Sequence, residues 1–161
     1  MMSSIVLREM KASDHIWLAQ FASKHWGAPI VVGHGVIYEL PQLPGFIAEE
    51  QGEYIGVVTY HSEGQACEVV SINSLRPGQG IGALLLNAVK NMALQMGCTR
   101  LWLITTNDNL NALRFYQKRG FVLVAVHRNA LEQSRKLKPQ IPLIGEYGIP
   151  LRDEIELEMP L

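Results

Sequence analysis

The chain lacks the features that would point to an oxidising compartment or a membrane. Its only two cysteines, Cys67 and Cys98, are far apart and form no CxxC pair, so neither a disulfide framework nor a zinc site is expected. No uninterrupted apolar run reaches the length of a membrane span. The first residues also lack the basic and apolar regions of a signal peptide. These absences predict a cytoplasmic protein.

The chain also lacks an excess of charge of either sign. Its formal net charge is −1, which predicts no non-specific nucleic-acid or membrane partner. Apolar residues make up 48% of the 161 positions, enough for a substantial core. No repeat, low-complexity tract or linker interrupts the sequence, so we expect one domain over residues 1–161.

The most informative stretch joins a β-branched strand, predicted over 66–74, to an apolar-periodic helix predicted from Ile81. Arg76-Pro77-Gly78-Gln79 suits a type II turn, and Gly80 and Gly82 let a ligand approach the backbone. Free amides at a helix N-terminus bind anions such as phosphate. The competing interpretation is that these glycines only permit a tight connection.

Three interpretations of such a phosphate-binding loop compete: a Walker loop, a dinucleotide-binding loop and a loop that binds coenzyme A. A Walker loop requires a lysine after its glycines, and none follows here. The segment Gly78–Ala83 matches the dinucleotide fingerprint Gly-x-Gly-x-x-Gly/Ala. However, predicted antiparallel strands over 46–50, 54–61 and 66–74 precede it, and no acidic residue follows at the required distance. Coenzyme A is the third ligand.

Two motifs resemble the GNAT family of N-acetyltransferases. Gln79-Gly80-Ile81-Gly82, followed by a run of leucines, resembles the family's first motif. The second, Asn-x-x-Ala-x-x-x-Tyr-x-x-x-Gly-Phe, resembles the residues from Asn109 to Phe121, and the spacing between the two motifs also fits. Pro77 departs from the family pattern, which has Arg or Gln there. Proline has no N–H to donate, so Arg76 or Gln79 is the alternative side-chain donor.

The resemblance implies a fold, an activity and a cosubstrate. The fold is α+β, with a mixed but largely antiparallel sheet of about six to seven strands, splayed in the middle and flanked by helices. The cosubstrate is acetyl-CoA, without a metal, and the acetyl group passes directly to a small-molecule or peptide amine of unknown identity. A non-catalytic acyl-CoA-binding module is the alternative.

The resemblance also implies the site residues. The pantetheine arm would bind the backbone of Ile72, Asn73 and Ser74. The pyrophosphate would bind the amides of Gln79, Gly80, Ile81, Gly82 and Ala83. Asn109, Ala112 and Tyr116 complete the coenzyme site, and Tyr116 protonates the departing thiolate. Asn109 could instead serve only as a helix N-cap.

The general base is less clear from the sequence. An amine acceptor must lose a proton, which a carboxylate or histidine can take. Glu68, on the strand that enters the loop, is the first candidate, followed by Glu49 and His61. Each could equally be a solvated or structural side chain. His34, between two glycines, is a candidate contact for the acceptor.

Local capping signals and the region near the end complete the sequence-based predictions. Asp14 is predicted to cap the first helix, and Asn107 and Asp108 are capping candidates for the helix over 109–118. Residues 129–152 form an insertion before the last predicted strand. It could be a substrate lid, a homodimer contact or a structural cover for the sheet edge. Its basic residues Arg135, Lys136 and Lys138 are expected to form a solvated face.

Overall fold

The computed structural model describes residues 4–161, which contain nine strands. Their bounds are β1 (Ile5–Glu9), β2 (Ile30–Gly33), β3 (Val36–Glu39), β4 (Gly45–Glu50), β5 (Glu53–Glu63), β6 (Ala66–Ser74), β7 (Arg100–Thr106), β8 (Val122–His127) and β9 (Glu154–Pro160). Seven of them form one sheet in the order β1-β4-β5-β6-β7-β9-β8, and β2 and β3 form a separate hairpin. All neighbours in the large sheet are antiparallel except β6 and β7.

Helices cover both faces of this sheet. They are α1 (Ala12–Trp26), α2 (Ile81–Gln95), α3 (Leu110–Lys118) and α4 (Ala130–Leu137), with short 3-10 turns at Leu40–Gln42 and Glu146–Gly148. The apolar stripe of α2 is buried in one core, which α3 joins through Tyr116. A second core lies on the opposite face, between α1, the β2–β3 hairpin and the sheet. None of the four helices is long and apolar enough to cross a membrane within residues 4–161.

The sheet opens between β6 and β7. These parallel strands pair only from Ala66 with Arg100 to Val69 with Leu103. A bulge leaves Val70 without a partner on β5 at the same level, and bulges bend a strand. The predicted splayed, mixed α+β sheet is therefore confirmed.

Asp14 is not the N-cap of α1. The helix begins at Ala12 and Lys11 is the N-cap. Asp14 accepts a hydrogen bond from the Lys11 amide at 2.8 Å, and its two oxygens accept from the Arg8 guanidinium at 2.6 and 2.9 Å. The carboxylate still serves the helix start, but from the third helical position, where an acidic residue can also satisfy the amide of the cap.

Neither Asn107 nor Asp108 caps α3. The side chain of Asn107 donates to Pro150 O at 2.8 Å and accepts from the amides of Arg152 and Asp153 at 3.0 and 2.9 Å. The buried carboxylate of Asp108 accepts from the amide of Glu146 at 2.8 Å. Both side chains therefore hold the 129–152 segment against the end of β7.

Arg135 and Lys138 do not form a solvated face, contrary to the sequence-based expectation. Arg135 donates to the carbonyl oxygens of Pro142, at 2.8 Å, and Leu151. Lys138 is buried, and its ammonium donates to Ile30 O on β2 at 2.9 Å. These side chains bind the turns of their own segment and join it to the β2–β3 hairpin.

Candidate active site

The glycine loop presents free backbone amides. Gly78 and Gly80 have φ values of 81° and 75°, in the left-handed region that favours glycine. Leu84 donates to Gly80 O at 3.1 Å, but the amides of residues 79–83 donate to no carbonyl within the described part of the chain. Because these unpaired amides lie at the positive end of α2, they can bind an anion.

A cavity of about 620 Å³, here called the loop cavity, opens beside these amides. Its wall comes from the end of β6, the glycine loop and one face of α3. The lining residues are Ile72, Ser74, Pro77, Gly78, Gly82, Asn111, Ala112, Arg114, Phe115, Tyr116, Lys118 and Arg119. The two sequence motifs thus contribute to a single cavity.

The backbone of β6 alternates between β5 and the open gap. Leu75 donates to Ile55 O on β5, and Asn73 lies opposite Val57 in the same register. Since successive residues turn their backbone groups to opposite sides, Ile72 and Ser74 face the gap and Asn73 faces β5. Of the three residues expected to hold the pantetheine arm, two therefore present their backbone groups to the gap.

Arg76 does not supply the donor that Pro77 lacks. Its guanidinium is paired with Glu50 and with Glu53, the latter at 2.9 Å, and it is absent from the cavity wall. Positive charge comes instead from α3, which the sequence interpretation did not consider. The available signal was the spacing of Arg114 and Lys118, which are four residues apart and therefore share a helix face.

Arg119 adds a third cation to the same wall. Its guanidinium lies 3.8 Å from the centre of the Phe115 ring and donates to Phe115 O at 3.0 Å. These contacts fix the side chain between the loop cavity and a neighbouring cavity of about 400 Å³, which Ala83 also lines. Three cations beside free amides can stabilise a ligand that carries several phosphates.

Tyr116 is a buried tyrosine of α3 at the wall of the loop cavity. Its side chain is 6% exposed and lines the loop cavity, and its ring packs edge-on against Phe115 and Phe121. No residue in the described chain forms a hydrogen bond with its hydroxyl group. Burial raises the pKa of Tyr116, so the phenol remains protonated at neutral pH.

The other coenzyme residues expected from the sequence take different positions. Asn109 is the N-cap of α3, and its side-chain oxygen accepts from the Ala112 amide at 3.1 Å. The side chain of Ile81 is buried in the core, so only its backbone can reach a ligand. Gln79 and Gly80 lie in the loop itself, next to the cavity wall.

A second cavity, of about 360 Å³, lies where β6 and β7 separate and is called the gap cavity. It is bounded by both strands, α1, the β2–β3 hairpin and the first residue of β9. The lining residues are Trp26, Val31, Val32, Gly33, Tyr38, Glu68, Val70, Ile104, Thr105, Thr106, Asn109 and Glu154. The wall is divided between apolar and polar residues and contains two carboxylates.

Glu68 is buried and is not solvated. It is 4% exposed, accepts from the Tyr38 hydroxyl at 2.5 Å, and lies 3.0 Å from Nε2 of His34. Burial, together with the Glu68 carboxylate, raises the pKa of Tyr38, which therefore stays a donor. Among the three base candidates, Glu68 is the one whose carboxylate lies in the gap.

The other two base candidates lie elsewhere. Glu49, on β4, pairs with Arg8 at 3.2 Å. His61 is half-exposed and lies 3.7 Å from Glu63. Neither lines the gap cavity.

Glu154 is a site residue that the sequence did not single out. It is 3% exposed, and its carboxylate accepts from the His34 amide at 3.1 Å. Burial is the main cause that raises the pKa of Glu154. The strand registers, Glu68 opposite Trp102 and Thr106 opposite Glu154, place both carboxylates on one sheet face. That relation depends on pairing across β7 and is not visible in the sequence.

A third cavity, of about 500 Å³, shares Glu68 and Tyr38 with the gap cavity and is called the outer cavity. His34 and Trp102 form part of its wall, with ring centroids 4.9 Å apart. Its one arginine, Arg100, is already held by Glu156 and by Glu158, the latter at 2.6 Å.

The cysteine thiols are buried away from these cavities. Cys67 belongs to the core on the α2 side, where burial raises the pKa of its thiol to about 12. Cys98 is buried in the same core. A thiol that stays protonated is a poor nucleophile, so Cys67 does not suit a covalent acetyl intermediate, and Cys98 lines none of the three cavities.

Comparison with known proteins gives close relatives. The model of the Acetyltransferase (GNAT) family matches residues 10–121. Uncharacterized protein YdhI of Bacillus subtilis (strain 168) is 45% identical over 152 residues, which cover 94% of both chains. Uncharacterized protein YxbD of the same organism is 40% identical over 141 residues, covering 87% of this chain and 89% of the relative.

Solved structures share the whole fold. A GNAT family acetyltransferase from Elizabethkingia anophelis, with acetyl-CoA bound, aligns with a TM-score of 0.72, 25% identity and 98% coverage of both chains. A Bacillus subtilis acetyltransferase in complex with CoA aligns with a TM-score of 0.70, 21% identity and 99% coverage of both. The family model therefore shows that this chain belongs to the GNAT family of acetyltransferases.

Proposed function

We propose that this protein is an acetyl-CoA-dependent N-acetyltransferase that transfers the acetyl group directly to an amine. The observation that carries this proposal is the buried carboxylate of Glu68 in the gap between β6 and β7. An N-acetyltransferase needs a base at this place, because an ammonium group cannot attack a thioester until it loses a proton.

The loop cavity is suited to acetyl-CoA. The free amides of residues 79–83 and the cations of α3 can bind its phosphates. The open edge of β6, at Ile72 and Ser74, can pair with the amide groups of the pantetheine arm, as an added strand would. The thioester would then reach the gap, where an open-edge backbone amide can polarise its carbonyl.

Glu68, in the gap cavity, and Tyr116, in the loop cavity, account for the proton transfers of the reaction. The acceptor nitrogen first gives one proton to Glu68, and Glu68 passes this proton to solvent. The nitrogen then attacks the thioester carbon. The carbon–sulfur bond breaks, the thiolate leaves, and the nitrogen loses its second proton to solvent. The phenol of Tyr116 protonates the leaving thiolate and later recovers a proton from solvent. The products are the amide, free coenzyme A and one released proton.

Direct transfer is supported by the state of the cysteines. Because Cys67 and Cys98 are buried in the core, no thiol is available to hold the acetyl group. We therefore expect intact-mass measurement to show no acetylated enzyme after incubation with acetyl-CoA alone.

The test is an acetyl-transfer assay with a panel of amines, in which both thiol release and the acetylated product are measured. We expect Glu68→Gln to lower kcat by about 10²-fold. The loss should be largest at low pH, where little of the amine is free of its proton. Glu49→Gln is the matched control, because it removes a β4 carboxylate outside the cavities and should retain wild-type kcat.

Two results would contradict the proposal. Tight acetyl-CoA binding with no transfer to any amine would favour a non-catalytic acyl-CoA-binding module. Unchanged kcat in Glu68→Gln, with the variant still folded by circular dichroism, would remove Glu68 as the base.

A further inference from the structure

Two buried carboxylates give the acceptor side of the gap a negative character. Glu68 and Glu154 both line the gap cavity, and both are almost inaccessible to solvent. The gap cavity wall contains no lysine or arginine. The Tyr38 hydroxyl donates to Glu68, the His34 amide donates to Glu154, and Nε2 of His34 lies 3.0 Å from Glu68.

The outer cavity offers no free cation either. Its single arginine, Arg100, is paired with two glutamates of β9. Its remaining ionisable residues are His34, His61, Tyr38, Glu63 and Glu68. A carboxylate on the acceptor would therefore meet buried negative charge without a partner, which is costly in a site that excludes water.

The rest of the gap cavity wall has an apolar part beside the polar side chains of Thr105, Thr106 and Asn109. Trp26, Val31, Val32, Val70 and Ile104 surround the two carboxylates. The volume of about 360 Å³ fits a small molecule. An apolar side chain of the acceptor can pack on this wall while its ammonium group contacts the glutamates.

We infer that the acceptor is a small primary amine with an apolar body, recognised as a cation by Glu68 and Glu154 and lacking a carboxylate beside the amine. This inference rests on the proposed acetyl transfer and specifies its substrate class. Glu68 both attracts the ammonium group and takes its proton. Glu154 lies across the gap and acts as a specificity residue that rejects anionic acceptors.

The test compares amines with the amino acids that differ from them only by the α-carboxylate. The matched pairs are phenethylamine with phenylalanine, tryptamine with tryptophan, and isoamylamine with leucine. We expect kcat/KM for each amine to exceed that of its amino acid by at least about tenfold. Glu154→Gln should bring the ratio of kcat/KM between each amine and its amino acid closer to one, mainly by raising KM for the amines. Glu39→Gln, at an exposed position of β3, should keep the wild-type ratio.

A second measurement separates recognition from chemistry. Calorimetric titration of phenethylamine into protein saturated with coenzyme A should detect binding, and phenylalanine should bind more weakly by at least about tenfold. Equal or better use of the amino acids would overturn the inference and leave the acetyltransferase proposal intact. Acetylation of other amines but of neither class would also overturn the inference, and both proposals fail if acetyl-CoA binds and no amine of the panel is acetylated.

Discussion

The hydroxyl of Tyr116 has a proposed chemical role and no structural one within the described chain. It forms no hydrogen bond within the described chain, so its removal should leave folding intact. We expect Tyr116→Phe to lower kcat by about 10²-fold, because the thiolate then leaves without a proton donor. The Kd for acetyl-CoA, measured by calorimetry, should change little.

Tyr60→Phe is the matched control, since Tyr60 is a partly buried tyrosine of β5 outside the three cavities. Wild-type kcat in Tyr116→Phe would show that another group protonates the thiolate.

Asp14 has the opposite balance, with a structural role and no chemical one. The Arg8 guanidinium holds the pKa of Asp14 well below its usual range, and Tyr54 and the Lys11 amide also donate to it. Because the folded-state pKa lies below the unfolded one, the stabilisation is fully present above about pH 4 and is lost as the pH falls further.

We expect Asp14→Asn to reduce the free energy of unfolding at pH 7 by about 3 kcal/mol, since it leaves Arg8 without this partner. Urea unfolding at several pH values measures this effect. The difference between wild type and variant should shrink as the pH falls below about 4. A difference that stays constant with pH would contradict the assigned cause.

At the scale of elements, α3 links the two halves of the site. Its N-cap, Asn109, lines the gap cavity, and its Tyr116, two turns later, lines the loop cavity. The position of the helix therefore determines the distance between acceptor and coenzyme. The same helix carries the cations that lie opposite the glycine loop.

Asn109 can be tested as a cap and as a ligand separately. We expect Asn109→Ala to lower the free energy of unfolding by about 1 kcal/mol through loss of the hydrogen bond to the Ala112 amide. Asn109→Asp keeps an acceptor at the cap and should restore stability. Chemical denaturation measures the stability, and calorimetry the acetyl-CoA affinity.

If Asn109 only caps the helix, the Asp variant should bind acetyl-CoA as tightly as wild type. A loss of affinity in the stable Asp variant would mean instead that the amide nitrogen contacts the coenzyme.

For the whole molecule, coenzyme binding should be a stabilising event. Acetyl-CoA in the loop cavity would bridge β6, the start of α2 and α3, which only the folded chain brings together. At a concentration 100 times Kd, such a ligand stabilises by about 2.7 kcal/mol, and Tm should rise by about 5–10 °C. Differential scanning fluorimetry measures the shift.

NAD and NADP, the ligands of the dinucleotide alternative, should produce no shift in Tm. A shift with NAD and none with acetyl-CoA would overturn the coenzyme assignment.

A homodimer, the absence of a nucleic-acid or membrane partner, and the single-domain boundaries stay predictions.

The sequence by itself determined the strand, glycine loop and helix around Gly80, and the helix that carries Tyr116. These features are local, because turn conformation, helical periodicity and capping depend on residues a few positions apart. It also indicated the splayed sheet, through resemblance between two motifs at a fixed spacing. The sequence put Asp14 at the wrong capping position, because neighbouring positions carry similar capping signals and the ion pair with Arg8 decides between them.

Only the tertiary structure decided which charged side chains are available to contact a ligand. It paired Arg76 with Glu50 and Glu53 and placed the cations of α3 opposite the glycine loop. It also buried Glu68 against Tyr38 and His34 and brought Glu154 to the same gap. Those contacts join residues far apart in the chain, and their burial depends on strand register and on the packing of the β2–β3 hairpin. The proposed donor site is therefore visible in the sequence at the glycine loop, whereas the charge of the proposed acceptor site emerges only when β6, β9 and the hairpin meet.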